Sequence, residues 1–358
     1  MASERQVLMR AWRGQIDWRA QLLSLALLPF SWIFGALVMV RRWLYLVGFF
    51  KQQNLPVPVI VVGNVMVGGV GKTPITIALV QHLVARGWSV GVLSRGYGRK
   101  ASSGKNNIQA VHHNSSATDV GDEPLLIARV CQVPVFVSAD RVAAGRALLA
   151  AHPDVQVLVC DDGLQHWALA RDLELCVFDE RGVGNGRLLP AGPLRETWPR
   201  ASWRSKSFKP ASACWVVRTG GEPDAHAFAV QRRLADFAQQ ANGAQRPLQS
   251  WVNTPVQALA GIAKPELFFA MLRDQGLTLS RTHALPDHAP MQGLPENVFK
   301  GDLLCTEKDA VKLWPTQPQA WAVPLITTLP AELLLAVDQW LAPLSPTKLS
   351  SPHGQQTA

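Results

Sequence analysis

Paired cysteines are missing from this 358-residue chain: Cys131, Cys160, Cys176, Cys214 and Cys305 are odd in number and never spaced CxxC. That excludes a disulfide framework and a zinc ribbon and fits a reducing compartment. Charge is scarce as well. Asp, Glu, Lys and Arg make up 17% of residues against 48% hydrophobic ones, which excludes disorder for the bulk of the chain. The length suits about two domains at roughly 150 residues each. Acid is the scarcer sign, with 26 acidic against 35 basic residues and a formal net charge of +9. A basic protein invites a nucleic-acid reading, but there is no zinc-finger, RRM or KH signature and no basic face interleaved with aromatics. Neither nucleic acid nor an obligate protein partner is expected. No internal repeat is present.

Much of the positive charge lies at the front. Arg5, Arg10, Arg13, Arg19, Arg41, Arg42 and Lys51 stand against Glu4 and Asp17. Within this region Ala20 to Val40 carries no charge over 21 residues, close to the roughly 20 that cross a bilayer core. The stretch exceeds a signal peptide's apolar region and is followed by RRW rather than a small-x-small cleavage site, so it is expected to stay in the mature protein. Pro29 and Gly35 interrupt it, and Gln21, Ser24 and Ser31 could share a polar side. A spanning helix, a helix lying in the interface and a helix packed on the body all remain open. Trp12, Trp18, Trp32, Trp43 and Tyr45 supply rings suited to an interface, and the arginines suit anionic head groups.

After Lys51 short β-branched runs alternate with helical stretches, the pattern of βαβ units around a parallel sheet. VPVIVVGN, SVGVLSRG, PVFVSAD, VQVLVCDD and LELCVFDE read as buried strands, with helices from about Lys72 to Arg86 and over ADRVAAGRALLAAH. The basic, proline-broken segment from Trp198 to Pro210 reads as a domain junction. A second α/β unit follows, with candidate strands ACWVVRT, VQALAGI, DLLCTEK and AVPLITT and helices near Pro265 to Gln275 and Ala331 to Leu341. The expected division is a membrane-associated segment over 1–50, a P-loop core over 51–205, a smaller α/β domain over 206–344 and a disordered tail over 345–358.

The strongest local signal is VIVVGNVMVGGVGKTPITIALV, an apolar strand running into glycines and then a helix. Gly68, Gly69 and Gly71 let the backbone of Met66, Val67, Gly68, Gly69, Val70 and Gly71 curl so that N–H groups face phosphate oxygens at a helix N-terminus. Lys72 is placed to reach the β and γ phosphates and Thr73 to hold magnesium. Position 66, a glycine in the GxxxxGKT pattern, is Met66. VQVLVCDDGLQH places Asp161 and Asp162 at the end of a buried strand, where such a loop needs a metal-directing carboxylate and where two adjacent carboxylates call for a cation. Asp122 and Glu123 precede a helix with Pro124 in its first turn, so capping alone could explain Asp122. His288 in LPDHAP could be a surface loop residue. TEKDAVKL is similar to a guanine-reading NKxD only loosely, because its lysine and aspartate are adjacent, and GTP specificity loses support.

In order along the chain, GNVMVGGVGKTP, SRGYGR, GDEP, DDGLQH, GRLLPAGPLRE, GIAKPELFF, PDH and TEKDAVKL resemble the tetraacyldisaccharide 4'-kinase family of lipid A biosynthesis, from about Arg13 to Leu341. The resemblance implies ATP-dependent phosphorylation of the 4'-hydroxyl of a tetraacylated glucosamine disaccharide 1-phosphate at the cytoplasmic face of the bacterial inner membrane. It implies Asp122 as the base and His288 as the group that orients it. Glu123, Asp161 and Thr73 are implied to organise Mg2+, with Asp162 supporting them, while Lys72 and Arg195 stabilise phosphate charge and Gln165 and His166 act in support. The competing reading is a membrane-attached P-loop switch, in which water attacks and turnover is slow without a partner.

Overall fold

The computed structural model describes residues 4–15, 17–99, 107–200, 213–221, 224–289, 291 and 301–344. Residues 201–210 of the expected junction and the whole expected tail, 345–358, lie outside these residues.

Three N-terminal helices, α1 (Glu4–Trp12), α2 (Trp18–Ala26) and α3 (Leu28–Leu46), precede the first sheet. The chain continues through β1 (Val59–Gly63), α4 (Lys72–Ala85), β2 (Val90–Ser94), β3 (Gln109–Val111), α5 (Ala117–Val120) and α6 (Asp122–Cys131). Next come β4 (Val135–Val137), α7 (Arg141–Ala151), β5 (Val157–Asp161), β6 (Leu173–Phe178), β7 (Ala213–Arg218) and β8 (Ala227–Ala229). The strands order as β3-β4-β2-β5-β1-β6-β7-β8, parallel throughout except for antiparallel β3–β4. Every residue of β1, β2, β5 and β6 is buried, which is why these strands read as near-continuous apolar runs: helices cover both faces of the sheet. β1 lies beside β5 with Val62 opposite Asp161, so the glycine loop and the paired aspartates leave the same end of the sheet. In α4, Ile75, Leu79, Val80 and Leu83 are buried and fix the helix that starts at Lys72.

The chain then forms β9 (Gln231–Leu234), β10 (Phe237–Gln239), β11 (Gln245–Pro247), β12 (Val256–Ala260), α8 (Pro265–Asp274), β13 (Leu279–Ala284), β14 (Leu303–Thr306), α9 (Glu307–Leu313), β15 (Trp321–Val323), β16 (Leu325–Thr328) and α10 (Ala331–Leu341). A smaller sheet runs β11-β10-β15-β14-β12-β13, and β9 pairs with β16 as a separate antiparallel ribbon. Trp251 is fully buried in this second core, and its indole N–H donates to Asp302 Oδ2 at 2.7 Å. Trp251→Ala is expected to cost about 3–5 kcal/mol, from lost burial plus the cavity it leaves. A lower denaturant midpoint is the measurement.

Several elements differ from the sequence expectation. ACWVVRT joins the first sheet rather than the second: β6 presents an unpaired edge, and β7 fills it from Leu173–Ala213 through Phe178–Arg218. α10 also returns to the first core, because Leu333, Val337 and Leu341 form a stripe that packs in one cluster with Ile75, Leu79 and Leu83 of α4. AVPLITT is not one strand. Pro324 divides it, giving β15 to the smaller sheet and β16 to the ribbon.

The uncharged N-terminal stretch is not one helix either. It breaks at Leu27, with α2 and α3 bent by 49°, and Pro29 falls in the first turn of α3, where its missing N–H costs nothing. No single helix among the described residues is long and apolar enough to cross a membrane; the bent pair passes only by length and composition. One face is tied to the loop after β6. Ser24 Oγ donates to the Ala191 carbonyl at 2.7 Å, Ser31 Oγ donates to the Leu188 carbonyl at 2.8 Å, and Ser31 Oγ accepts from the Ala191 N–H at 2.9 Å. The other face leaves Trp32 69%, Leu37 63% and Met39 61% exposed.

Candidate active site

Chain geometry at the end of β1 is set by two glycines with positive φ, Gly68 at 100° and Gly71 at 85°, a region that side chains rarely enter. Met66 needs no such freedom. It is fully buried in an antiparallel bridge with Leu194, flanked by Val67 N–H donating to the Pro193 carbonyl at 2.9 Å and Arg195 N–H donating to the Val65 carbonyl at 2.7 Å. The GPLRE segment is therefore fastened to the glycine loop, and the same stretch of chain carries the carbonyls that hold Ser24 and Ser31. Gly69 lies under the second sheet's connection from β12 to α8, where a Cβ would come within 2.8 Å of Ala263 Cβ.

Lys72, the first residue of α4, has its Nζ 3.5 Å from Asp162 Oδ1 and donates to Asn64 Oδ1 at 3.4 Å. Arg195 comes within 3.8 Å of the same Asp162 oxygen and donates to Gln165 Oε1 at 3.3 Å. Gln165 completes the frame by donating to the Asn64 carbonyl and to Glu196 Oε1, each at 2.9 Å. Asp162 sits at φ 51°, in the left-handed region that side-chain-bearing residues rarely enter. Val67 and Val70 lie in the glycine loop, and Thr73 is buried one residue past Lys72.

Asp161 is buried, and its Oδ1 accepts from Thr76 Oγ1 at 2.9 Å. Burial, reinforced by the charges of Glu123 and Asp162, pushes its carboxyl up to about 7, while Lys72 and Thr76 pull the other way. Negative charge is thus under-compensated here, which suits a cation. Among the described residues, however, no three Asp, Glu, His or Cys side chains converge on one metal position. The donor set therefore fits magnesium shared with phosphate oxygens better than an all-protein cage.

The second group spans the two sheets. Asp122 opens α6 and is only 5% exposed; His288, from the loop after β13, places Nδ1 3.0 Å from Asp122 Oδ2 and 3.1 Å from Oδ1. His288 has φ 61°, an uncommon conformation for a side-chain-bearing residue, and its ring lies 5.1 Å from that of Tyr97. Lys308 Nζ donates to Glu123 Oε1 at 2.9 Å and to Asp287 Oδ1 at 3.1 Å, and lies 3.3 Å from His288 Nε2. An ammonium offers no acceptor, so a neutral His288 accepts at Nε2 and donates a hydrogen bond from Nδ1–H to the Asp122 carboxylate. Burial alone would raise the Asp122 carboxyl, but the His288 hydrogen bond and the charges of Lys308 and Lys312 hold it well below the usual carboxylate range. Glu123 faces Lys308 and shares with Asp162, Arg195, Gln165, Ser94, Arg95 and Tyr97 the wall of a cleft of about 250 Å3. His166 stays neutral near pH 7, since burial and then Arg141 push it down to about 4.

The structure thus gathers Lys72, Asp162 and Arg195 into one group and Asp122, Glu123 and His288 into another, and Glu123 from the second shares a cleft wall with Asp162 and Arg195 from the first. Lys308, Lys312, Asp287 and Tyr97 lie in the motifs TEKDAVKL, PDH and SRGYGR but were given no role from the sequence; the four-residue spacing of the lysines puts both on one face of α9.

A parallel sheet with a strand–glycine loop–lysine–helix turn, a carboxylate pair at the end of the neighbouring strand and a buried Asp122 paired with a half-buried His288 define a P-loop phosphotransferase. The family model for tetraacyldisaccharide-1-P 4'-kinase (LpxK) matches residues 23–342, and the chain belongs to that family, whose members phosphorylate the 4' position in lipid A biosynthesis. The tetraacyldisaccharide 4'-kinase of Acidovorax sp. (strain JS42) is 52% identical over 328 residues, covering 90% of this chain and 92% of its own. That of Polaromonas naphthalenivorans (strain CJ2) is 47% identical over 358 residues, covering 99% of each. A crystal structure of LpxK from Aquifex aeolicus in complex with ATP superimposes with a TM-score of 0.73 at 29% identity, covering 90% of this chain and 99% of that one.

Proposed function

We propose that this kinase moves the γ-phosphoryl group of ATP to the 4'-hydroxyl of a tetraacylated glucosamine disaccharide 1-phosphate in the cleft lined by Glu123, Asp162 and Arg195. The observation that carries this reading is the Asp122–His288 pair beside Glu123, which shares a cleft with Arg195 and with Asp162, the ion-pair partner of Lys72. Asp122 takes the hydroxyl proton and His288 orients the carboxylate through its Nδ1–H. Lys72 and Arg195 carry the charge that spreads over the phosphate oxygens. Thr73, Asp161 and Asp162, with Glu123 once Lys308 releases it, would hold magnesium. When bound, magnesium neutralises charge on the β and γ phosphates.

The acceptor is an anionic lipid, and the uncovered side of α2 and α3 is apolar, with Trp18, Phe30, Trp32, Ile33, Leu37 and Trp43 all more than half exposed. This supports docking on the cytoplasmic face of the inner membrane, with the acyl chains left in the bilayer while the sugar enters the cleft. Trp32→Asp combined with Leu37→Asp should abolish sedimentation with anionic liposomes and raise the KM for bilayer-bound lipid about tenfold or more, with the KM for ATP unchanged. The decisive assay mixes γ-labelled ATP, membranes and tetraacyldisaccharide 1-phosphate. Label on the lipid is the expected result; label released only as inorganic phosphate would mark the hydrolytic switch instead.

A further inference from the structure

Asp122 and His288 reach each other from different sheets, and Lys312 meets both Asp122 itself and the His288 loop. Lys312, on the last turn of α9 and only 11% exposed at its side chain, places Nζ 3.3 Å from Asp122 Oδ2 and 3.3 Å from Asp309 Oδ1. It also donates to the carbonyl of Ala289, the residue after His288, at 3.3 Å. The ammonium thus makes one hydrogen bond, to the Ala289 carbonyl, and two ion pairs, with Asp122 and Asp309. Asp309 is itself fully buried and fixed, its Oδ2 accepting from Gly261 N–H at 2.8 Å and from Thr306 Oγ1 at 2.7 Å. Lys312 thus stands on a rigid anchor and reaches outward to the carboxylate and to the loop that holds His288 in its left-handed conformation. Lys308, one turn earlier, reaches Glu123, Asp287 and His288 instead.

We propose that Lys312 is a positioning residue for phosphoryl transfer, registering the Asp122 carboxylate against the His288 loop so that the pair meets the acceptor hydroxyl as one unit. The inference rests on the reading of Asp122 as base. Lys312 acts through Asp122 and does not itself touch substrate.

The test is a double-mutant cycle on the full chain, with kcat and both KM values measured for Lys312→Met, Asp122→Asn and the double variant. Methionine keeps the apolar stem and removes the donors. Lys312→Met should lower kcat about 10- to 100-fold, with both KM values within about twofold, and should add less than about twofold in the Asp122→Asn background. Independent, multiplicative losses would overturn the proposal, because a merely structural role lowers activity in either background. So would a rise in KM at constant kcat. If the methionine variant does not fold, Lys312→Arg keeps the charge while changing the reach, and the same cycle is read on it: a lower kcat absorbed by Asp122→Asn is expected, and a multiplicative loss overturns the idea. Unchanged turnover in Asp122→Asn alone would overturn the base reading instead, whatever Lys312 does.

Discussion

Lys72→Ala should lower turnover about 100- to 1000-fold while leaving the protein folded, the scale for removing one pre-placed charge from a transferring group. The fold should survive because α4 is held by Ile75, Leu79, Val80 and Leu83, none of which touches the lysine head. What Lys72 does in this structure is balance charge: its Nζ faces Asp162, and it lowers the otherwise elevated Asp161 carboxyl. When a triphosphate enters, the ammonium can trade those carboxylates for phosphate oxygens at the N-terminus of α4, where the peptide dipoles already favour an anion. Alanine loses both services. The carboxylate pair then repels the incoming phosphates, so kcat should fall together with a weaker apparent affinity for ATP. Initial rates of lipid labelling across an ATP titration measure both, and a melting curve close to that of the parent shows that the loss is not unfolding.

The parts of this machine that were legible in the sequence are those whose chemistry is local. β1 and β5 read correctly because a strand covered on both faces must be apolar along its length, and GKT and DD follow such strands directly. The start of α6 at Asp122 is marked by its own Gly-Asp-Glu-Pro. Other features depend on tertiary geometry and left no local trace. Pro29 did mark the start of α3, but the fastening of Ser31 to the loop carrying Leu188 and Ala191 left no sign in the sequence. β7 belongs to the first sheet because β6 has an edge to fill, which no property of ACWVVRT announces. Lys308 and Lys312 look like the solvated face of a short helix, and only the approach of α9 to α6 turns them inward onto Glu123 and Asp122. Met66 is the converse case. It departs from the loop pattern, and the bridge to Leu194 shows why a glycine is not required there.

Asp122→Asn should lower kcat by at least about 100-fold with the KM for ATP little changed, because the carboxamide keeps the shape and loses the basic oxygen. The substitution also reverses part of the hydrogen bonding. In the carboxylate both oxygens accept, from His288 Nδ1 and from the Glu123 N–H, with Lys312 close to Oδ2. An amide must turn a donor toward one of these donors, leaving a buried N–H opposed to another or to the ammonium. A carboxyl held this far below its ordinary range is a weak base, and phosphoryl transfer tolerates that: in a loose transition state the hydroxyl becomes acidic only as its bond to phosphorus forms, so the proton moves late to a carboxylate already in place. The same depression has a consequence for stability. Its contribution is fully present above the unfolded-state value near about 4 and is lost as pH falls through the lower folded-state value. The asparagine variant should therefore melt at a lower temperature than the parent at neutral pH, with the gap narrowing as pH falls below about 4. A gap that stays constant through the acid range would mean that Asp122 is ordinary in the folded protein, and both its pairing with His288 and its grip by Lys312 would have to be abandoned.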